Sequence, residues 1–234
     1  KSDNLELANL VASCDFVFFL AFDVGGAKFL NISNQNFEFL HNNTQIISNT
    51  FEVLKMHKKK FLFVSSYLAN NLSHSYGLLK YLGEHYTHSI NGLIVRLYNV
   101  YGNEDISNRS HVIPDLIFQG LNLGQIKLGT NGKERRQFLY VDDCSEGLFE
   151  ISENYDAILK ETNPIDLTSF DWISIADIAT LISKKLNCDL QYSHIVATHI
   201  DEHEPESSVL KYWNPTTSIE LGLDNVIRKI RGIK

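Results

Sequence analysis

The stretch that decides the fold is "FLFVSSYLANNLSHSYGLLKYLGEHY", residues 61–86. Its first four residues are bulky and apolar, and the run ends on Ser65 and Ser66. A strand apolar on both faces belongs in a sheet that is covered on both sides. The second half predicts a helix over 75–89, on which Tyr76 and Lys80 stand four apart and share a face. A strand ending in a hydroxyl, then a helix bearing a phenol and an amine one turn apart, offers three proton-handling groups. An ammonium beside a phenol favours the phenolate and is expected to lower the tyrosine pKa. Such a trio moves a proton on or off a hydroxyl while a hydride leaves or joins the same carbon. A packed tyrosine and a solvated lysine leave the same spacing, so the pattern by itself keeps both readings open.

Working outward, "CDFVFFLAF" (14–22) predicts a strand before this unit, and "KFLFVSS" (60–66) is the strand already met. "NFEFLHNNTQIISNTFEVLKMHK" (36–58) predicts a helix with Leu40, Ile47, Phe51 and Leu54 on one face. "GLIVRLYNVYG" (92–102) is a third strand running into a loop. Apolar strands separated by helices predict an α/β fold: a parallel sheet with helices on both faces. After Gly102 the polar "NEDISNRS" leads into a helix, "HVIPDLIFQGLNLG" (111–124), whose Pro114 suits a first turn. "IKLG" and "RQFLYV" predict short strands around the turn "TNGKER". "DWISIADIATLISKKLN" (171–187) predicts an amphipathic helix capped near Ser174, and "DLQYSHIVA" (189–197) a strand. Two interleaved lobes are expected. One is built from 1–102 with 137–168, and a small α+β lobe from 103–136 with 169–234.

A chain of 234 residues with 44% hydrophobic and 21% charged residues has the make-up of a globular protein. A net charge of −7 argues against a nucleic-acid surface, and "KMHKKK" (55–60) and "GKERR" (132–136) read as a solvated helix end and a solvated turn. The longest apolar run, "FVFFLAF" (16–22), is too short to span a bilayer, so no membrane partner is expected. Cys14, Cys144 and Cys188 lack metal or disulfide spacing, which points to a reducing, cytoplasmic setting. His199 and His203 in "THIDEH" stand four apart but precede Pro205, and a polar loop without metal is expected. "VDD" (141–143) reads as a structural turn and helix cap, and Cys144, Trp172 and Trp213 as packing residues.

Several segments also follow one another in a recognisable order. These are "CDFVFFLAFDVGG", "FLFVSS", "YGLLK", "RLYNVYG", "SHVIPDLI" and "GKERRQFLYVDD". In that order the chain resembles the extended short-chain dehydrogenase/reductase family. Its similarity is to the NAD-dependent nucleotide-sugar epimerase, dehydratase and reductase branch. "DVGG" and "NRSHVIP" are most similar to the GDP-fucose synthases and GDP-mannose epimerases. The resemblance implies a Rossmann-type NAD(P)-binding domain over 1–102 with 137–168 and a substrate lobe elsewhere. It implies that Ser66, Tyr76 and Lys80 are the catalytic trio, with His111 as a further acid/base. A helix N-terminal histidine with no proton to move stays open as the other reading of His111. The implied cofactor contacts, to NAD or NADP, are Leu20, Ala21, Phe22, Tyr76, Lys80 and Leu97, Lys80 holding the nicotinamide ribose. The implied contacts to a nucleoside-diphosphate sugar are Gly25, Gly26, Asn99, His111, Val112 and Arg136, the last through its planar fork. Asn43 is expected to anchor the catalytic helix, and the helices 36–58 and 75–89 to form a homodimer.

Two departures bear on these expectations. The GxxGxxG loop that presents backbone amides to a pyrophosphate does not occur in this sequence. Either the chain is a piece of a longer one whose first βαβ unit precedes Lys1, or the principal dinucleotide grip is lost. The segment between Ser66 and Tyr76 is also short, and Tyr67 and Leu68 stand where relatives carry a second proton carrier. Reduction or oxidation at a sugar carbon needs less than epimerisation or dehydration and so survives that change better. A catalytically silent, dimerising or sugar-nucleotide-binding protein is the rival reading.

Overall fold

A computed structural model describes residues 2–196 and 203–232. The chain runs α1 (Ser2–Ser13), β1 (Phe16–Phe19), α2 (Ala27–Ser33), α3 (Phe37–His57), β2 (Lys60–Ser66), α4 (Ser75–Ser89), β3 (Leu93–Leu97), β4 (Asn99–Tyr101) and α5 (Val112–Leu123). It continues through β5 (Gln125–Lys127), β6 (Arg135–Tyr140), α6 (Val141–Glu153), α7 (Tyr155–Glu161), β7 (Ile165–Leu167), β8 (Trp172–Ser174), α8 (Ile175–Leu186), β9 (Asp189–Gln191) and α9 (Ile219–Ile230).

The strand that opened the sequence reading sits inside a parallel sheet of order β1-β2-β3-β7. Its alternation sets the layers. Phe61 and Phe63 point to one face, where they meet Ile47, Phe51 and Leu54 of α3 and Leu79 of α4. Leu62 and Val64 point to the other, against Leu148 and Ile151 of α6 and Ile158 of α7. Each such side chain contributes roughly 1.5–3 kcal/mol on leaving water, so the strand is anchored from both sides. Because every neighbour is parallel, Ser66, Leu97 and Leu167 end level at one edge.

A second group of strands lies beyond that edge. β4 pairs β6 in parallel, β6 pairs β8 antiparallel, and β5 pairs β9 in parallel. Around them Ile113 and Ile117 of α5, Ile178 and Ile182 of α8, and Leu223 and Val226 of α9 form a separate core. Asp143 of α6 ties the segment before α9. It accepts from the backbone N–H and the hydroxyl of both Thr216 and Thr217, at 2.8–3.1 Å.

Three expected elements differ. The strand over 14–22 is confined to Phe16–Phe19, and the backbone leaves the sheet at Leu20. The run 92–102 is two strands in two sheets, broken at Tyr98, whose ring stacks on Tyr67 with centroids 4.9 Å apart. The strand over 189–197 is Asp189–Gln191, and Ala197 lies outside the described residues, as does His199. No described helix is long and apolar enough to cross a membrane. Among the described residues no group of three or more His, Cys, Asp or Glu side chains could hold a metal ion.

Candidate active site

Ser66 closes β2, and Tyr76 lies in the first turn of α4, brought back to the strand end by a single 3-10 turn, Tyr67–Asn70. The Ser66 hydroxyl acts on the Tyr76 phenol, favouring its ionised form, and accepts from the Leu68 backbone N–H at 3.2 Å. The glycine after Tyr76 makes this approach possible. A Cβ on Gly77 would lie 2.3 Å from the carbonyl oxygens of both Leu68 and Asn71. The N-terminus of α4 is held by Asn34, whose side chain accepts from the Ser75 N–H at 2.9 Å.

Lys80 joins the cluster but not at the phenol oxygen. Its ammonium donates to the Val64 carbonyl at 2.7 Å and lies 3.8 Å from the centroid of the Phe22 ring, against 5.7 Å from that of Tyr76. Only 3% of Lys80 is exposed. Burial therefore governs both groups, contrary to the expectation that Lys80 lowers the tyrosine pKa. It pushes the Tyr76 phenol up to about 12 against the opposing influence of the Ser66 hydroxyl. The same burial brings Lys80 down to about 7, with the Glu84 carboxylate opposing it. Glu84 is itself buried and fully partnered. Ser65 donates to it at 2.6 Å, and Arg96 grips it with two bonds at 2.8 and 2.7 Å.

A cavity of about 270 Å³ lies against α5 and the second group of strands. Gly26, Asn99, His111, Val112 and Arg136 line it, five of the six residues expected to contact a sugar nucleotide. Gly25 does not; it is packed against Phe29 and Arg109. Ser66, Tyr76 and Lys80 do not line the cavity either. The link runs through Tyr67, which follows Ser66, stacks on Tyr98 and feels the Arg136 charge. Burial raises the Tyr67 pKa, and Arg136 offsets part of that rise.

The run 20–26 separates the cavity from an open depression of about 600 Å³, which Ala21 and Phe22 line with Asn42, Gln45, Ile46 and Asn49. Leu20 is exposed, and Leu97 stands level with Ser66 at the sheet edge. Asn43 does not anchor α4 as expected. It is fully buried and clamps Asp23, accepting from its N–H at 2.8 Å and donating to its carbonyl at 3.1 Å. Its position in α3 faces the loop after β1, and Asn34 holds the helix instead. From Asp23 the run is stapled to the segment before α5. Asp23 pairs with Arg109, Phe29 lies under the Arg109 guanidinium at 4.2 Å, and the Gly26 N–H donates to the Arg109 carbonyl at 2.7 Å.

Three participants escaped the sequence reading: Phe22 on Lys80, the Asp23–Arg109 pair, and Glu104, which grips His111. Each contact involves a loop residue, and no local periodicity announces it.

The family model for the NAD dependent epimerase/dehydratase family matches residues 2–163. The chain belongs to this family. A GDP-L-fucose synthase of Sinorhizobium fredii is 31% identical over 138 residues, covering 53% of this chain and 42% of the synthase. A UDP-glucuronic acid decarboxylase of Arabidopsis thaliana is 24% identical over 144 residues, covering 59% of this chain and 41% of the decarboxylase. The chain thus spans less than half the length of these curated relatives. Among solved structures, an epimerase from Methanothermobacter thermautotrophicus superposes with a TM-score of 0.81 at 19% identity, covering 98% of this chain and 76% of that one. A Bacillus cereus UDP-glucuronic acid 4-epimerase, in complex with UDP-glucuronic acid and NAD, gives 0.78 at 23%, covering 97% and 78%. Both share the fold of this epimerase/dehydratase chain.

The family's cofactor fits the residues present, on one condition. Ala21, Phe22, Ser66, Tyr76 and Leu97 gather where the parallel strands end, the edge at which open α/β sheets receive dinucleotides. Lys80 reaches a ribose there only if the Phe22 ring swings off its ammonium.

Proposed function

We propose that this family member is an NAD(P)-dependent nucleotide-sugar epimerase or reductase acting on a nucleoside-diphosphate keto-hexose. One observation supports the reading: Tyr67, next in the chain to Ser66 at the parallel-sheet edge, feels the charge of Arg136, which lines a cavity together with Asn99 and His111. Ser66 and Tyr76 would hold a sugar oxygen between two hydroxyls, Tyr76 passing its proton on or off that oxygen. Arg136 would meet the diphosphate with its planar fork, and Asn99 a sugar hydroxyl. His111 would move a proton at a carbon next to the keto group. The bound nicotinamide supplies hydride chemistry, and Ala21, Phe22, Leu97 and Lys80 would hold that cofactor. The division into a cofactor lobe and a substrate lobe belongs to the same proposal, as does a homodimer through α3 and α4.

In the full-length protein, Tyr76→Phe is expected to lower turnover of a GDP- or UDP-linked 4-keto-6-deoxyhexose by about a hundredfold or more. Its affinity for the same compound, read by calorimetry, should stay near wild type. Unchanged turnover would remove Tyr76 from the mechanism. The rival, a catalytically silent sugar-nucleotide-binding protein, draws on one observation, the Phe22 ring seated on Lys80. It predicts that neither NADH nor NADPH binds the full-length protein in the same calorimeter.

A further inference from the structure

His111 lines the cavity at the N-cap of α5, and both its backbone and its ring are held by a single side chain. Glu104 lies in the loop after β4. One of its carboxylate oxygens accepts from the His111 backbone N–H, and the other lies 2.8 Å from His111 Nδ1. The Glu104 side chain is 29% exposed and that of His111 45%, so the pair sits at a wall and not in the core. An ionised carboxylate only accepts hydrogen bonds, so the ring nitrogen facing it must carry the hydrogen. In a neutral imidazole that leaves Nε2 as the nitrogen with a free lone pair. Among the described residues no group hydrogen-bonds Nε2.

We infer that Glu104 is a positioning residue. It fixes His111 in the Nδ1–H tautomer and holds Nε2 as the base in the cavity wall. The inference deepens the proposed function and rests on it for the role of Nε2. In that role Nε2 takes the proton from a carbon beside the sugar keto group. The C–H electron pair forms a carbon–carbon double bond as the carbonyl π pair moves onto the keto oxygen, giving an enolate, and the imidazolium that forms is stabilised by Glu104. Reprotonation of the carbon returns the proton and leaves the ring neutral.

The tautomer can be read without any turnover. In the full-length protein labelled with ¹⁵N-histidine, long-range ¹H–¹⁵N spectra should show His111 with a protonated Nδ1, its signals assigned by their loss in His111→Asn. Glu104→Gln keeps the shape and can accept from the backbone N–H with its oxygen. Its amide then donates to Nδ1 and moves the ring hydrogen to Nε2. The spectrum should switch to the Nε2–H form. Deuterium uptake from solvent at the keto-sugar carbon, with the GDP- or UDP-linked 4-keto-6-deoxyhexose, should fall about a hundredfold. Affinity for that sugar nucleotide should change by less than about threefold, since the wall is intact. An Nε2–H ring in the wild type, or no switch in Glu104→Gln, overturns the inference. So does a switch without loss of uptake where His111→Asn abolishes uptake. If the tautomer switches as stated and even His111→Asn keeps full uptake, the dyad stands and the proton-transfer role of His111 falls.

Discussion

At the scale of the residue, Lys80 shows how far a spacing rule reaches. That Tyr76 and Lys80 share a helix face was legible from their separation, because helix geometry is local. Where the ammonium goes was not. It is settled by the Val64 carbonyl and by Phe22, which comes from a loop more than fifty residues away in sequence. The depressed pKa has a measurable consequence. Below about pH 7 Lys80 is charged in both the folded and the unfolded chain. Between about 7 and the ordinary 10.5 the unfolded chain binds a proton that the folded one does not. Stability therefore rises with pH across that window. The raised Tyr76 phenol opposes it only above its ordinary 10.0. Urea midpoints taken from about pH 7 to 9 should climb in the wild type. In Lys80→Met the climb should be smaller; an equal climb would mean that Lys80 keeps an ordinary pKa.

At the scale of the element, α4 is placed by what it lacks. A glycine-to-alanine change inside a helix is ordinarily favourable by about 1 kcal/mol. At Gly77 the new methyl would meet two backbone oxygens of the 67–71 turn, which cannot rotate away as a side chain can. Gly77→Ala is thus expected to destabilise, by roughly 1–3 kcal/mol, in a denaturant titration. The sign of the change is the test. The strand 60–66 was legible as an unbroken apolar run between helices, and the helices over 36–58 and 75–89 because a 3.6-residue period is written within each. β4 and β8 were less so, since each has three residues, and their partner β6 lies some forty residues away from either. The run 20–26 was opaque for a related reason, since its shape depends on Asn43 reaching across from α3. The site divides the same way. The trio could be read from one stretch, whereas Glu104 meets His111 only once the loop between them has folded.

At the scale of the whole molecule, α4 presents an apolar row outward. Leu78, Tyr81, Leu82 and Tyr86 are 37–48% exposed at helical spacing, and α3 beside them exposes Phe37 and Met56. An isologous pairing of these helices would bury that row against its own copy. A standard interface removes about 800 Å² per partner. The full-length protein should sediment as a dimer, and Leu78→Glu with Leu82→Glu should shift it to monomer without loss of helicity. A wild type that is monomeric at about 100 µM, a level that favours association for any Kd in the micromolar range or below, would end that reading. A last consequence follows from the run 20–26. Its first half borders the open depression and its last glycine the cavity that holds His111, while Asn43 grips it at Asp23 like a fulcrum. The Asp23–Arg109 pair joins this run to the segment that carries His111. Ligands in the two recesses should therefore feel each other, and affinities measured one at a time should not add when both are present.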